Sequence, residues 1–176
     1  MKKFISSLDQ TSYIITWSII ALAVVIFFAG FYAYKKSGDE PLVLVLSALG
    51  PIVLGGLVII MYFLKPLSVI VDNNSITIER KFKPVVIRFS EIKTVRLLQK
   101  GEMKGTIRTF GNGGIFGYTG LYYNKTMGSM TWYCTQRKKY ILVEKTNNKK
   151  LIITPDNPDD FIQSLRSINP KIGISL

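Results

Sequence analysis

Histidine is absent from this chain, and cysteine occurs once, at Cys134. Without histidine there is no imidazole to act as a general base, to complete a Ser-His-Asp triad or to ligate a metal. A lone cysteine excludes an intrachain disulfide, in keeping with a reducing compartment. Cys134 lies in the strand-like run SMTWYCTQR, where a small buried hydrophobe is the expected role. Acidic residues are scarce too, 11 Asp and Glu against 23 Lys and Arg. Asp72, Glu79, Glu91, Glu102 and Glu144 stand singly among basic residues, with no spacing that pairs two of them for acid/base work. Such a set leads to no catalytic residue, no metal and no cofactor. An enzyme limited to carboxylate chemistry therefore ranks below a binding module.

Charge is missing altogether from two stretches. YIITWSIIALAVVIFFAGFYAY and LVLVLSALGPIVLGGLVIIMYFL predict helices over 12–34 and 42–64, and at 1.5 Å per residue each covers roughly the 30 Å core of a bilayer. Lys2 and Lys3 could open a cleavable signal peptide. The first apolar run, however, exceeds the ~7–15 residues of such a segment, and a second span follows almost at once. Gly50-Pro51 and Gly55-Gly56 would weaken a soluble helix but are tolerated in a membrane helix packed on a neighbour. Ser47, Pro51 and Gly55 recur at every fourth position and mark the expected face of contact. The intervening KKSGDEP allows only a tight hairpin, so both ends of the chain fall on one side. Lys35 and Lys36 in the hairpin oppose Lys2, Lys3, Lys65, Arg80, Lys81 and Lys83, a bias that puts both termini in the cytoplasm of a two-span cell-membrane protein.

At Lys65-Pro66 the apolar pattern changes from continuous to alternating. Residues 1–65 thus read as a tail and transmembrane hairpin, and 66–176 as a second domain. LSVIVD and SITIERK, divided by Asn73-Asn74, read as a hairpin whose tip tolerates left-handed backbone. PVVIRF, IKTVRLLQ, IFGYTGLYY, SMTWYCTQR, YILVEK and LIIT continue the series, the spacing of an antiparallel sandwich or barrel. The end differs in kind. Asn157 is placed to cap a helix over 158–168 that starts at Pro158, carries Asp159 and Asp160 in its first turn, and lines up Phe161, Ile162, Leu165 and Ile168. That helix is expected to plug the open end of a small barrel.

RTFGNGGIFGYTG is the most glycine-rich stretch. A dinucleotide fingerprint fails because Phe116 stands at its third glycine and strand-like sequence follows. A P-loop fails because no Lys-Ser or Lys-Thr comes after. The glycines are then structural: Gly111, Gly113 and Gly114 permit positive φ in a tight loop, and Gly117 and Gly120 allow a bulge or close backbone approach within a strand.

The same region resembles the membrane-attached bacterial pleckstrin-homology (PH) domain proteins. The likeness is carried by Arg108-Thr109-Phe110-Gly111, by Gly117-Tyr118-Thr119-Gly120-Leu121-Tyr122, by Tyr133-Cys134-Thr135 with Arg137-Lys138-Lys139, and by Thr154-Pro155-Asp156 leading into the last helix. The residues read as a two-helix transmembrane hairpin followed by a mainly-β domain of about seven strands, and the resemblance, over about 66–168, implies that this domain is a PH-like split barrel with a C-terminal helix. It implies a binding platform rather than an activity.

Charge then indicates where binding resides. The net charge is +12, and the first 64 residues hold four lysines and three acids, which leaves +11 for the rest. Near an anionic leaflet each well-placed Lys or Arg gains ~1 kcal/mol. Arg80, Lys81 and Lys83 form one dense cluster and Arg137, Lys138 and Lys139 another, with Arg108, Lys104 and Lys125 in the glycine-rich region between. These are the candidates for an anionic headgroup or a protein partner, unless they serve only as solvated turns and topological anchors. The alternative is a structural homo-oligomerisation module with no lipid ligand. Stacking of single-stranded nucleic acid on the aromatic and basic residues of 120–139 is a weaker third, and no nucleic-acid partner is expected.

Overall fold

The computed structural model describes residues 1–38, 40–170 and 172–175. Asp9 starts the first helix, α1 (Gln10–Lys36), by accepting a 2.8 Å hydrogen bond from the Ser12 amide in an extended N-cap conformation. Pro41 opens α2 (Pro41–Leu64), where its missing N–H costs nothing. Both helices are long and apolar enough to cross a membrane. Aromatic residues gather at each end of the pair, Tyr13, Trp17, Tyr62 and Phe63 at one and Phe31, Tyr32 and Tyr34 at the other, as interfacial belts do. Ser47 packs so closely on α1 that a Cβ at Gly30 would collide with it. At Pro51 and Gly55, by contrast, the helices stand apart around an apolar groove shared with Ile20, Ala23 and Phe27.

The β domain contains two sheets. The first is antiparallel, ordered β1 (Lys2–Ile5), β2 (Pro66–Val71), β3 (Ser75–Arg80) and β4 (Val85–Arg88). The second is built from β5 (Ile92–Leu97), β6 (Ile107–Gly114), β7 (Gly117–Asn124), β8 (Gly128–Cys134), β9 (Ile141–Lys145), β10 (Lys150–Ile153) and β11 (Gly173–Ser175). Its order is β11-β5-β9-β10-β8-β7-β6, with β10 on β8 and β11 on β5 parallel and the other pairs antiparallel. The helix α3 (Pro158–Ile168) lies over the gap between the sheets, and Phe161, Ile162 and Leu165 join Val69, Ile76, Ile78, Val95, Val143 and Ile153 in one core. Phe4 of β1 meets Phe161 edge-on at 5.3 Å.

Several expectations are corrected. The first residues are not a free tail: Lys2–Ile5 pairs with β2, with Phe4 opposite Val69, because Phe4 has an apolar core to enter. Eleven strands form among the described residues, more than the seven or so expected, and the ladder is not wholly antiparallel. The Asn73-Asn74 tip has no left-handed residue. Asp72 shapes it instead, its carboxylate accepting from the amides of Asn74 and Ser75 at 2.8 and 2.9 Å. These hydrogen bonds, the Asn74 amide first, hold the Asp72 carboxyl below the usual carboxylate range. Asn157 occupies the N-cap position of α3, but its side chain makes no cap hydrogen bond.

The glycine stretch is not a loop. Residues 107–114 form the strand β6, which turns directly into β7. Gly111 and Gly120 face each other across that ladder with φ of 107° and 131°, and a Cβ on either would collide with a carbonyl of the opposite strand. Close approach is thus the reason for these two glycines. Thr109 sits at a register shift between Arg108 and Phe110, which re-aims the side chains on either side.

Candidate functional site

The second sheet has two faces. Ile141, Val143 and Ile153 point to the core beneath α3, while the alternate residues Leu142 and Ile152, with Trp132, Cys134, Tyr118, Tyr122 and Met130, form a second apolar cluster on the reverse. Among the described residues, α3 lies on the other side of the sheet and α1 meets this face at Tyr118. Part of it is closed by the 98–106 loop, through Leu98 and Met103, and the part left open is a cavity of about 850 Å³.

Aromatic rings make its floor. Tyr122 and Trp132 stack in parallel with centroids 4.0 Å apart, and Tyr140 leans on Trp132 at 5.4 Å. Burial pushes the Tyr122 hydroxyl up to about 12, with Cys134 adding to the rise and Arg108 and Arg137 opposing it, and burial likewise raises Tyr140. The Tyr122 hydroxyl is satisfied, donating 2.7 Å to the Asn112 carbonyl. Trp132 is buried, and its indole N–H has no partner among the described residues.

Cations make the walls. Lys100 and Lys104 come from the loop, Arg108 from β6, and Arg137, Lys138 and Lys139 from the turn between β8 and β9. No carboxylate lines the cavity, and none pairs with these six among the described residues. Arg137 lies with its guanidinium 4.7 Å above the Tyr118 ring, and Lys139 donates to the Asp156 carbonyl at 3.3 Å. Arg108 occupies the space over Gly113, where a Cβ would collide with its Nη1. Gly113 therefore serves clearance, not the positive φ expected of it.

Two devices hold the loop in place. Arg96 donates to both oxygens of Glu102 at 3.0 and 2.8 Å, and this pairing keeps the Glu102 carboxyl below the usual glutamate range. Asn124 is buried and gives its amide N–H groups to the carbonyls of Glu102 and Lys104 and to Thr106 Oγ1, while its oxygen accepts from the Thr126 and Met127 amides. Three more of the carboxylates singled out in the sequence are likewise engaged in structure: Glu79 with Lys3 and Ser68, Glu91 with Lys145, and Glu144 with Thr94. Cys134 is fully buried, and burial lifts its thiol well above the usual range.

The site lies against the foot of α1. The Arg137 amide donates 3.0 Å to Asp9, the cap of that helix, and Asp9 also accepts from the Tyr118 hydroxyl at 3.2 Å. Next to Gly113, Gly114 touches Ile15, and the Phe116 amide donates 2.9 Å to Thr16 Oγ1. Phe116 then packs on Tyr62 at the end of α2.

Of the residues selected from sequence, Arg108, Lys104, Arg137, Lys138 and Lys139 converge on the cavity. Lys125, in the β7–β8 turn, does not line it. Arg80, Lys81 and Lys83 lie elsewhere: Arg80 is over the Tyr133 ring and bonded to the Lys83 carbonyl, and Lys81 is on Tyr62. Lys100 and Tyr140 went unselected, and Tyr122 and Trp132 stood out only as aromatics that could meet a membrane interface or a partner, not as the floor of a basic site. The sequence sign for Lys100 was its place with Lys104 in KGEMKG, a cationic turn between two strands.

The profile of the family described as Bacterial PH domain matches residues 67–169. The chain belongs to the bacterial PH domain family. Its match begins in β2 and ends just beyond α3, so it takes in every strand of both sheets except β1 and β11, and every wall of the cavity. No curated protein and no solved structure matches the chain. A PH domain is a binding module, and this one follows two helices able to span a membrane.

Proposed function

We propose that this chain is a membrane-anchored, non-catalytic scaffold whose PH domain, held at the cytoplasmic face, takes an anionic lipid headgroup into the basic cavity. One observation carries the proposal: among the described residues six cations line one cavity that no carboxylate lines, and none of them is ion-paired, Asp9 and Asp156 lying in the adjoining pocket that Lys138 and Lys139 share. Cations left without counter-ions favour an anionic ligand, and the free indole N–H of Trp132 supplies a donor to an oxygen-rich one. The lipid source follows from position. Arg137 is hydrogen-bonded to the residue that caps α1, and Arg108 leans on the glycine beside the one that touches Ile15. A headgroup in the leaflet crossed by α1 is thus within reach, where a soluble anion would have to compete with it.

Titration of the full chain in neutral detergent with short-chain phosphatidylglycerol, against phosphatidylcholine, tests this. Saturable binding of the anionic lipid that weakens as salt rises is expected, since the screening length falls from about 10 Å at 0.1 M to about 3 Å at 1 M. Replacing Arg108, Arg137 and Lys138 by Gln should cost about a hundredfold at low salt, at ~1 kcal/mol per charge. Equal binding of both lipids, or indifference to the three substitutions, would overturn the proposal.

Homo-oligomerisation is supported by a different feature. The strand β6 is an open edge of the second sheet, with Ile107 and Phe110 exposed on it. Salt-independent cross-linking between copies, abolished by Phe110→Lys, would favour that reading.

A further inference from the structure

The turn between β3 and β4 carries Lys81-Phe82-Lys83, and Phe82 is 74% exposed at its tip. The turn is not loose. Arg80 Nε donates 2.8 Å to the Lys83 carbonyl, and the guanidinium rests on the Tyr133 ring. The Phe82 amide donates 3.1 Å to the carbonyl of Phe63, in the last turn of α2. Lys81 stands 4.0 Å over the ring of Tyr62 and donates to its hydroxyl. The exposed phenylalanine is therefore tied by its own backbone to the end of an apolar helix whose neighbouring side chains, Tyr62 and Phe63, are exposed as well. It adds an exposed aromatic ring beside the apolar end of α2.

We propose that this turn is a second membrane contact, distinct from the cavity: Phe82 enters the interfacial layer of the leaflet in which α2 ends, and Lys81 and Lys83 lie at the level of the lipid phosphates. The proposal rests on the reading that α1 and α2 span a bilayer. Its occupant is lipid because whatever covers the last turn of α2 is hydrogen-bond distance away from Phe82. An aromatic ring between two lysines is also the side-chain set that an anionic membrane interface accepts. No carboxylate of the described residues pairs with Lys81 or Lys83, so both charges remain for phosphates. The contact also gives the Arg80, Lys81 and Lys83 cluster a role that the cavity does not. One membrane attachment lies at the foot of α1 and the other at the foot of α2, and two points fix the tilt of the domain where one would leave it free.

The test uses the full chain in vesicles of phosphatidylcholine and phosphatidylglycerol, with an environment-sensitive NBD label on Phe82→Cys, Ile59→Cys or Lys149→Cys. Cys134 is buried, and the unsubstituted chain carried through the same labelling measures any reaction there. Ile59 is exposed on α2, and Lys149 is exposed in the β9–β10 turn, at the far end of β9 from the cavity. The expected result is quenching by lipids carrying a shallow doxyl group at position 82, deep quenching at position 59, and none at 149. Position 82 reporting water while 59 reports lipid would overturn the proposal and leave the spanning reading intact. Water at position 59 would overturn the spanning reading and the proposal with it. Quenching at 149 equal to that at 82 would mean that the label partitions by itself, and the turn would have no special contact.

Discussion

Gly113 shows how a small residue can act through a neighbour. Its backbone is one that any residue adopts, yet a side chain there would occupy the place of the Arg108 guanidinium. Because the far end of an arginine is flexible, Gly113→Ala is expected to leave the fold within ~1 kcal/mol of the parent. It should still expel one cation from the cavity and weaken anionic-lipid binding roughly fivefold. Thermal unfolding and lipid titration, measured together, separate the two effects. Arg108→Gln should match the loss, and combining the two substitutions should add nothing further. At this scale the sequence was informative where charges cluster along the chain, as at Arg137-Lys138-Lys139, and silent where partners are brought in by folding. The link between Arg108 and Gly113 spans five residues of a strand with a register shift, so no regular spacing announces it. Nor could the apolar alternation of β7 and β8 say that the Tyr122 and Trp132 rings would stack as the floor of a cavity rather than under a covering helix.

The cavity wall is an element without regular structure of its own. The 98–106 loop keeps its shape through Asn124 from one side and the Arg96–Glu102 pair from the other. Asn124→Ala removes three side-chain donations and two acceptances from a buried position, and should destabilise the chain by about 2–3 kcal/mol. Trypsin should then cut first at Lys100 or Lys104. Acid should open the same loop by a separate route. The Glu102 pKa is depressed by Arg96, so the stabilisation it gives is complete above the ordinary glutamate value near ~4.3 and is lost as pH falls through the lower folded value. Amide exchange in 98–106 should therefore rise in acid, and Glu102→Gln should remove that pH dependence. Elements rich in β-branched residues, β2, β3, β5, β9 and β10, were legible from alternation, as was α3 from its apolar stripe. The strands β1 and β6 were not. The first has only four residues ahead of an apolar helix, and the second trades side chains for glycines that make sense only against the facing backbone of β7.

On the scale of the whole molecule, the question is how a domain outside the membrane is kept in register with the helices inside it. Asp9 sits at the centre of that junction. Its carboxylate caps α1 at Ser12, accepts from the buried Tyr118 hydroxyl and takes the Arg137 amide, while its own amide donates 3.1 Å to the Thr135 carbonyl. Asp156 adds a second tie, accepting from the Ser7 amide and hydroxyl at 2.9 and 2.6 Å. Neither acid lines the cation cavity, so replacing Asp9 removes no positive charge and takes away a negative one. A purely electrostatic view then predicts that Asp9→Ala tightens anionic-lipid binding. The geometry predicts the reverse. Loss of the cap and of a partner for a buried hydroxyl should cost about 2–3 kcal/mol, free the 135–139 segment from α1, and let Arg137 swing away from the cavity. Spin labels on Lys149→Cys and Ile59→Cys should show a broadened distance distribution in the Asp9→Ala chain, together with weaker lipid binding. A sharp distribution with tighter binding would mean that charge alone governs the site and that the hinge at Asp9 contributes nothing to it.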